Sequence, residues 1–317
     1  DLRMSRGLGD VYKRQLLLLL VPLTGGGKEI TMIICCCDGS VNGIFTAIYR
    51  AWEIGTSKTA ISVSDGETME LFCEYRYFDA DDELAAKVAS TIRHKLSHDI
   101  YTQVYHAALS SCPERGDIIY HFLIDAFKVG PGIVNHLVNP YVMRLFELDR
   151  NVSRESQHFL GFIRFGQYRD EHGSFLLARF APTNDILDLM SYHFADRLRN
   201  DNWLIADTTR HRCSIHHAGR HHYVLSDITD DYLDSLVDAT REHTGCAATG
   251  SNEAIEELFE TFRSSVAIEA RRNEKLQQQL MPLKYRTYMN TYTNTDGVPI
   301  TGSRTHSSRL THSRLCD

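Results

Sequence analysis

Four side chains in the middle of the chain are of the types that proton transfer or phosphate contact requires. His193 and Arg197 stand four apart in a helical stretch and share one face. With His158 they suit a proton-transfer or phosphate-contact cluster. Arg164 falls in the alternating stretch Phe159–Tyr168, whose period of two puts it on the face of Leu160 and Phe162. A guanidinium on a mostly apolar face needs a partner, because burying a lone charge is costly. Asp207, on a strand face with Trp203 and Ile205, is the natural one, and the pair is then structural. Read as a recognition group, the planar fork of Arg164 suits a phosphate. His193 beside Phe194 likewise reads as a packing residue or as a functional one. His158, Arg164, His193 and Arg197 are thus the candidate catalytic residues.

A second constellation lies near the C-terminus. Arg271, Arg272, Lys275, Lys284 and Arg286 supply charges for phosphate contacts, Asn273 and Gln277 can read or bridge, and Tyr285 and Tyr288 can stack on bases. The plain alternative is a solvated basic helix followed by a packed M-P-L-K-Y turn. The whole chain carries a net charge of -7, which argues against a nucleic-acid partner, but the charge is uneven. From Asp227 to Glu260 ten acidic residues face one base, Arg241, whereas six bases between Arg263 and Arg286 face Glu269 and Glu274. A local phosphate-binding face is compatible with that distribution.

Other chemistries find less support. His216, His217, His221 and His222 bracket a tight turn, and a two-residue loop would set His216 opposite His221, so a hairpin metal site is conceivable there; no metal is assigned. The eight cysteines show no C-x-x-C, and Cys35, Cys36 and Cys37 sit together in an apolar strand as reduced, buried thiols. No iron–sulfur cluster fits that spacing, and no cofactor is expected. No carboxylate pair, nucleophile elbow or Cys/His dyad follows from spacing, so whether the chain is an enzyme is left open.

The elements that would position these residues follow from periodicity. Met32–Cys37 reads as a strand, followed by an Asp38-Gly39-Ser40 turn and a helix with Ile44, Ile48, Ala51 and Trp52 on its apolar face. Met69–Phe78 is β-like. Asp81–Leu96 reads as a helix with an acidic first turn and a basic last one, which suits the helix dipole. Helices follow at Ile100–Leu109, Asp117–Val129 and about Tyr141–Asp149. Strands Phe159–Tyr168 and Ser174–Ala181 form a hairpin across Asp170–Gly173. A helix at Asn184–Asn200 precedes strands Trp203–Arg210, Arg212–His217 and Arg220–Leu225. Ile255, Leu258, Phe259, Phe262 and Val266 repeat as a helical core stripe. Strands grouped in the middle, with helices before and after, imply an α+β fold rather than a βαβ sheet. The expected architecture is a central, mostly antiparallel sheet of about 4–6 strands flanked by N-terminal and C-terminal helices.

Residues 1–31 read as a non-native or disordered leader, since Gly9–Gln15 resembles translated adapter sequence and Met32 is a natural start. The apolar run Leu16–Leu23 covers eight residues, against roughly 20 needed to span a bilayer, so no membrane partner is expected and a cytoplasmic location is. Residues 290–317, rich in Ser, Thr, His and Arg, read as a disordered tail. That leaves 32–289 as the domain. At 43% hydrophobic and 24% charged, the composition is that of an ordinary globular protein.

Several blocks stand in order along this domain: D-G-S at Asp38–Ser40, A-F-K-V-G at Ala126–Gly130 and V-S-R-E-S-Q-H-F-L-G-F-I-R-F at Val152–Phe165. They continue with P-T-N-D-I-L at Pro182–Leu187, H-F-A-D-R at His193–Arg197, W-L-I-A-D-T-T-R at Trp203–Arg210 and M-P-L-K-Y ending at Tyr285. With these blocks the chain resembles a bacterial DNA-metabolism (DNA-repair-like) family encoded beside a radical-SAM protein of DNA modification or repair. In some bacteria that family's domain is fused to a uracil-DNA glycosylase-like domain. The resemblance implies DNA and the radical-SAM protein as partners, and it assigns no catalytic residue. Three roles follow: a DNA-associated binding or adaptor subunit, a protein-binding accessory subunit without DNA contact, and an enzyme acting on damaged or modified DNA. Poor matching around Thr240–Ser251 points to a variable loop.

Overall fold

The computed structural model describes residues 32–63, 72–170 and 173–235, together with Thr261, Ser265, Pro282 and Tyr285. The expected leader, the tail, the variable loop and the helical stripe from Ile255 to Val266 lie outside these residues.

Strand β1 (Met32–Cys36) leads through Asp38 into helix α1 (Val41–Ile54), which returns to strand β2 (Thr59–Ser62). Asp38 Oδ1 accepts from the Ser40 amide at 3.0 Å, and Ser40 Oγ caps the helix by accepting from the Gly43 amide at 2.9 Å. Gly39 takes a positive φ of 78°, and a Cβ there would lie 2.7 Å from both Val63 and Arg115. Strand β3 (Cys73–Tyr77) completes a three-stranded sheet in the order β2-β1-β3, with β1 parallel to both neighbours. Cys35 and Cys36 are buried on opposite faces of β1, as befits the central strand of a covered parallel sheet. This βαβ unit corrects the expectation that grouped strands exclude one.

Helices α2 (Asp82–Lys95), α3 (His98–Ala108) and α4 (Arg115–Val129) pack with α1 over a first core built from Ile44, Ile48, Ile92, Val104, Ile119 and Leu123. Asp81 caps α2 through the Glu83 and Leu84 amides, and the acidic first and basic last turns are as read. After a 3-10 turn (Pro131–Asn135), helix α5 runs unbroken from Pro140 to Phe162. Its 23 residues make a rod of about 34 Å. Leu145 and Leu148 enter the first core, whereas Val152 and Phe159 enter a second.

The second core lies on a five-stranded sheet ordered β4 (Gly166–Asp170), β5 (Gly173–Phe180), β6 (Trp203–Asp207), β7 (Arg212–His216) and β8 (Tyr223–Asp227). Every neighbouring pair is antiparallel except β5 with β6, which helix α6 (Leu187–Arg197) joins in parallel. The chain is therefore a mixed α/β protein whose larger sheet is mostly antiparallel, with helices flanking it. Asp188 on α6 accepts hydrogen bonds from the hydroxyls of Tyr105 on α3 (2.8 Å) and Tyr223 on β8 (2.6 Å), tying the helical half to the sheet. Among the described residues no helix is long and apolar enough to cross a membrane.

Two local expectations fail. Phe159 to Phe162 are helical, because Val142, Leu145, Leu148, Val152 and Phe159 continue one stripe into the core and tertiary packing overrides the β-propensity of the aromatics. The hairpin survives, beginning only at Gly166. The β7–β8 connection is also longer than two residues: His216 pairs with Tyr223, not with His221.

Candidate functional site: a polar cleft along helix α5

Helical spacing places Arg144, Glu147, Asn151, Arg154 and His158 along one side of α5, where they border a cleft of about 500 Å³. The other walls are the 110–112 loop before α4, the 183–184 loop before α6, and Pro282 with Tyr285. Residues from three of the blocks singled out in the sequence thus meet here: Arg154, Glu155 and His158, Thr183 and Asn184, and Pro282 with Tyr285.

Glu155 organises the floor. It is 4% exposed on the core-facing stripe of α5, an unusual place for a carboxylate. Its Oε1 accepts from the Thr183 amide at 3.0 Å, and its Oε2 from the Asn184 amide and side-chain Nδ2 at 2.8 and 2.7 Å. Asn184 Oδ1 in turn accepts from the Ser111 amide at 3.0 Å, and Leu109 O accepts from the Asp185 amide at 2.9 Å. One buried carboxylate therefore fixes both loops that wall the cleft. The 182–185 turn is held from behind by Arg210, which donates to Pro182 O, Thr183 O and Asp207 Oδ2, and by the Arg212–Asp185 pair at 3.1 Å. Burial pushes the fully covered Asp207 carboxyl above the usual carboxylate range; Arg210 and two backbone N–H donors, from Thr209 and Arg210, pull the other way.

The two arginines of the cleft differ. Arg144 donates to Glu147 at 2.6 Å and lies 3.6 Å from Glu114. Arg154 is exposed and has neither hydrogen bond nor ion pair among the described residues. Asn151, one turn away, is exposed as well. Cations and neutral donors of this kind suit phosphate and sugar contacts.

Of the four residues first singled out, only His158 lines the cleft. It is half-buried, 4.9 Å edge-on to the Tyr285 ring. Arg164 lies in the 163–165 linker and donates to the Gly161 and Ile163 carbonyls at 3.1 and 3.0 Å; it is exposed, and Asp207 belongs to Arg210 instead. His193 and Arg197 are exposed on α6, with His193 set edge-on to Phe194 at 5.3 Å. The four do not converge on this cleft.

Of the proposed nucleic-acid residues, Tyr285 is described. It is 3% exposed and packs within 4.9 Å of Phe159 and 5.9 Å of Phe162. Its ring is therefore a core element, not a free stacking surface for bases. Arg271, Arg272, Asn273, Lys275, Gln277, Lys284 and Arg286 lie outside the described residues.

The histidine hairpin forms no ligand set. His216 is buried, stacked 5.0 Å from Trp203, with its ring nitrogens 3.0 Å from the carbonyl oxygens of Asp201 and Arg220. His221 contacts Arg199. Among the described residues no group of three or more His, Cys, Asp and Glu could hold a metal. A Ser/His/Asp trio does occur, His106, Asp149 and Ser153, but Asp149 and Ser153 both approach Nδ1, at 2.7 and 3.2 Å. A relay requires them on opposite ring nitrogens. The thiols of Cys35 and Cys37 are pushed up to about 11 by burial, which keeps them protonated and unreactive near neutrality.

Arg144, Asn151, Arg154, Glu155 and Asn184 were not recognised from the sequence. The available signal was the helical stripe running past Asp149, with a charged residue, Glu155, at one of its core positions.

The fold and cleft define a mixed α/β domain with a polar groove built on one long helix. Residues 113–290, more than half of the chain, match the model of a domain of unknown function, DUF4130, and the chain belongs to that family. A comparison with curated proteins finds no match.

Proposed function

We propose that this chain is a DNA-associated binding or adaptor subunit of DNA metabolism or repair that works with a radical-SAM partner. The cleft along α5 carries the reading: it gathers Arg144, Arg154 and His158 with hydroxyl and amide donors. A phosphodiester backbone needs such a mixture of cations and neutral donors. Tyr285, which borders the cleft, stands between Lys284 and Arg286 in the sequence. With a net charge of -7, attraction to DNA is local to this face.

Fluorescence anisotropy of the full chain against DNA at several salt concentrations tests the proposal. A log–log salt slope of several units is expected, at roughly 0.7 to 0.9 per phosphate neutralised. Replacing Arg271 and Arg272 by Glu should weaken binding. Absence of binding at low salt removes direct DNA recognition.

The protein-binding accessory role draws on a different observation. Leu137, Val138 and Met143 are 55%, 99% and 50% exposed at the start of α5 and in the turn before it. Apolar surface of that kind suits a protein partner. Co-purification with the radical-SAM protein that persists in high salt after nuclease treatment would favour this role over bridging by DNA.

A further inference from the structure

Resting on the DNA-binding reading, we infer that the cleft admits single-stranded rather than duplex DNA, with Arg154 as its principal phosphate contact. A helix that reads duplex DNA projects from its protein into a major groove about 12 Å wide. The lining side of α5 instead forms one wall of a cleft whose other walls are the 110–112 and 183–184 loops and Tyr285. A cleft of about 500 Å³ is too small to take in a whole duplex. The cleft volume, about 500 Å³, is of small-molecule scale, enough for part of one strand.

The cleft nevertheless has length. From position 144 to position 158 the helix rises about 21 Å, so a strand lying along it meets donors from several turns. The two arginines divide the work unequally. Arg144 is already neutralised by Glu147 at 2.6 Å, with Glu114 at 3.6 Å, so a phosphate must compete for it. Arg154 has no such competitor among the described residues, with Asn151 one turn away. Ser111 and Thr183 border the same cleft from the 110–112 and 183–184 loops and add hydroxyls that serve as neutral donors.

The test is anisotropy of the full chain with a labelled single strand and with the duplex of the same sequence, each across a salt series. The single strand should bind more tightly. Arg154→Gln, at an exposed position without partners among the described residues, should melt as the parent does, reduce the salt slope by about 0.7 and weaken binding about fivefold at 0.1 M salt. Arg154→Lys, which keeps the charge, should recover most of the slope. Duplex binding equal to or tighter than single-strand binding overturns the inference and leaves the DNA reading standing, as does an unchanged slope in Arg154→Gln. A parent protein that binds neither strand overturns both.

Discussion

Replacing Glu155 by Ala should cost this protein a large part of its stability, and a size for the loss can be worked from three of its contacts among the described residues. The substitution removes an acceptor from the Thr183 amide, the Asn184 amide and the Asn184 side chain, at 3.0, 2.8 and 2.7 Å. Thr183 is exposed, so water can replace the acceptor there. Asn184 is 7% exposed, and its two donors are left without a partner. At about 1–3 kcal/mol for each stranded buried donor, with a smaller contribution from Thr183, the loss is about 4 kcal/mol. Relief of burying the carboxylate offsets some of it. Total stabilities of roughly 5–15 kcal/mol make that a severe change, about 8–16 °C in Tm for a domain near 200 residues. Glu155→Gln keeps one accepting oxygen and should lose about half as much. Urea unfolding followed by circular dichroism reads the effect as a lower midpoint at unchanged slope. Glu147→Gln, on the exposed side of the same helix, serves as the control, with a change within about 0.5 kcal/mol. If Glu155→Ala lost less than about 1 kcal/mol, the carboxylate would not be what holds the two loops.

Arg210→Met should destabilise by about 3 kcal/mol, because Asp207 stays buried with only two backbone donors; combined with Glu155→Ala, its effect should depart from additivity in denaturant melts, since both residues hold the 182–185 turn. Alkaline pH should weaken the fold through the β1 thiols. Burial raises Cys35 from the ordinary 9.0 to about 11, so above pH 9 the unfolded thiol ionises while the folded one stays protonated. The unfolded state then binds fewer protons, and stability falls from pH 9 to about pH 11 by on the order of 2–3 kcal/mol for this group. Cys35→Ala should show a smaller drop over that interval in pH-dependent melts, and an equal drop would remove the thiol as its source.

Local periodicity determined a good deal of this protein. The β1 run, the Asp38–Ser40 turn, the capped and charge-polarised α2, the β4–β5 hairpin and the antiparallel strands after Trp203 all follow from neighbours within a few residues, where sterics, capping and alternation act. Tertiary structure decided what depends on distant partners. Whether Phe159 to Phe162 belonged to a strand or to the last turn of α5 rested on a core that Phe180 and Tyr285 help to build, and aromatic residues fit either surface. Arg164 and Asp207 made a plausible pair on paper, but extending the helix moved one of them off the sheet altogether. The buried role of Tyr285 was hidden for a similar reason, since a tyrosine between two bases looks alike whether it faces solvent or the core. The cleft itself joins residues 110–112, 144–158, 183–184 and 285, and no local signal links segments so far apart. Only folding brings the carboxylate of Glu155 to the Asn184 amide and sets Arg154 beside it.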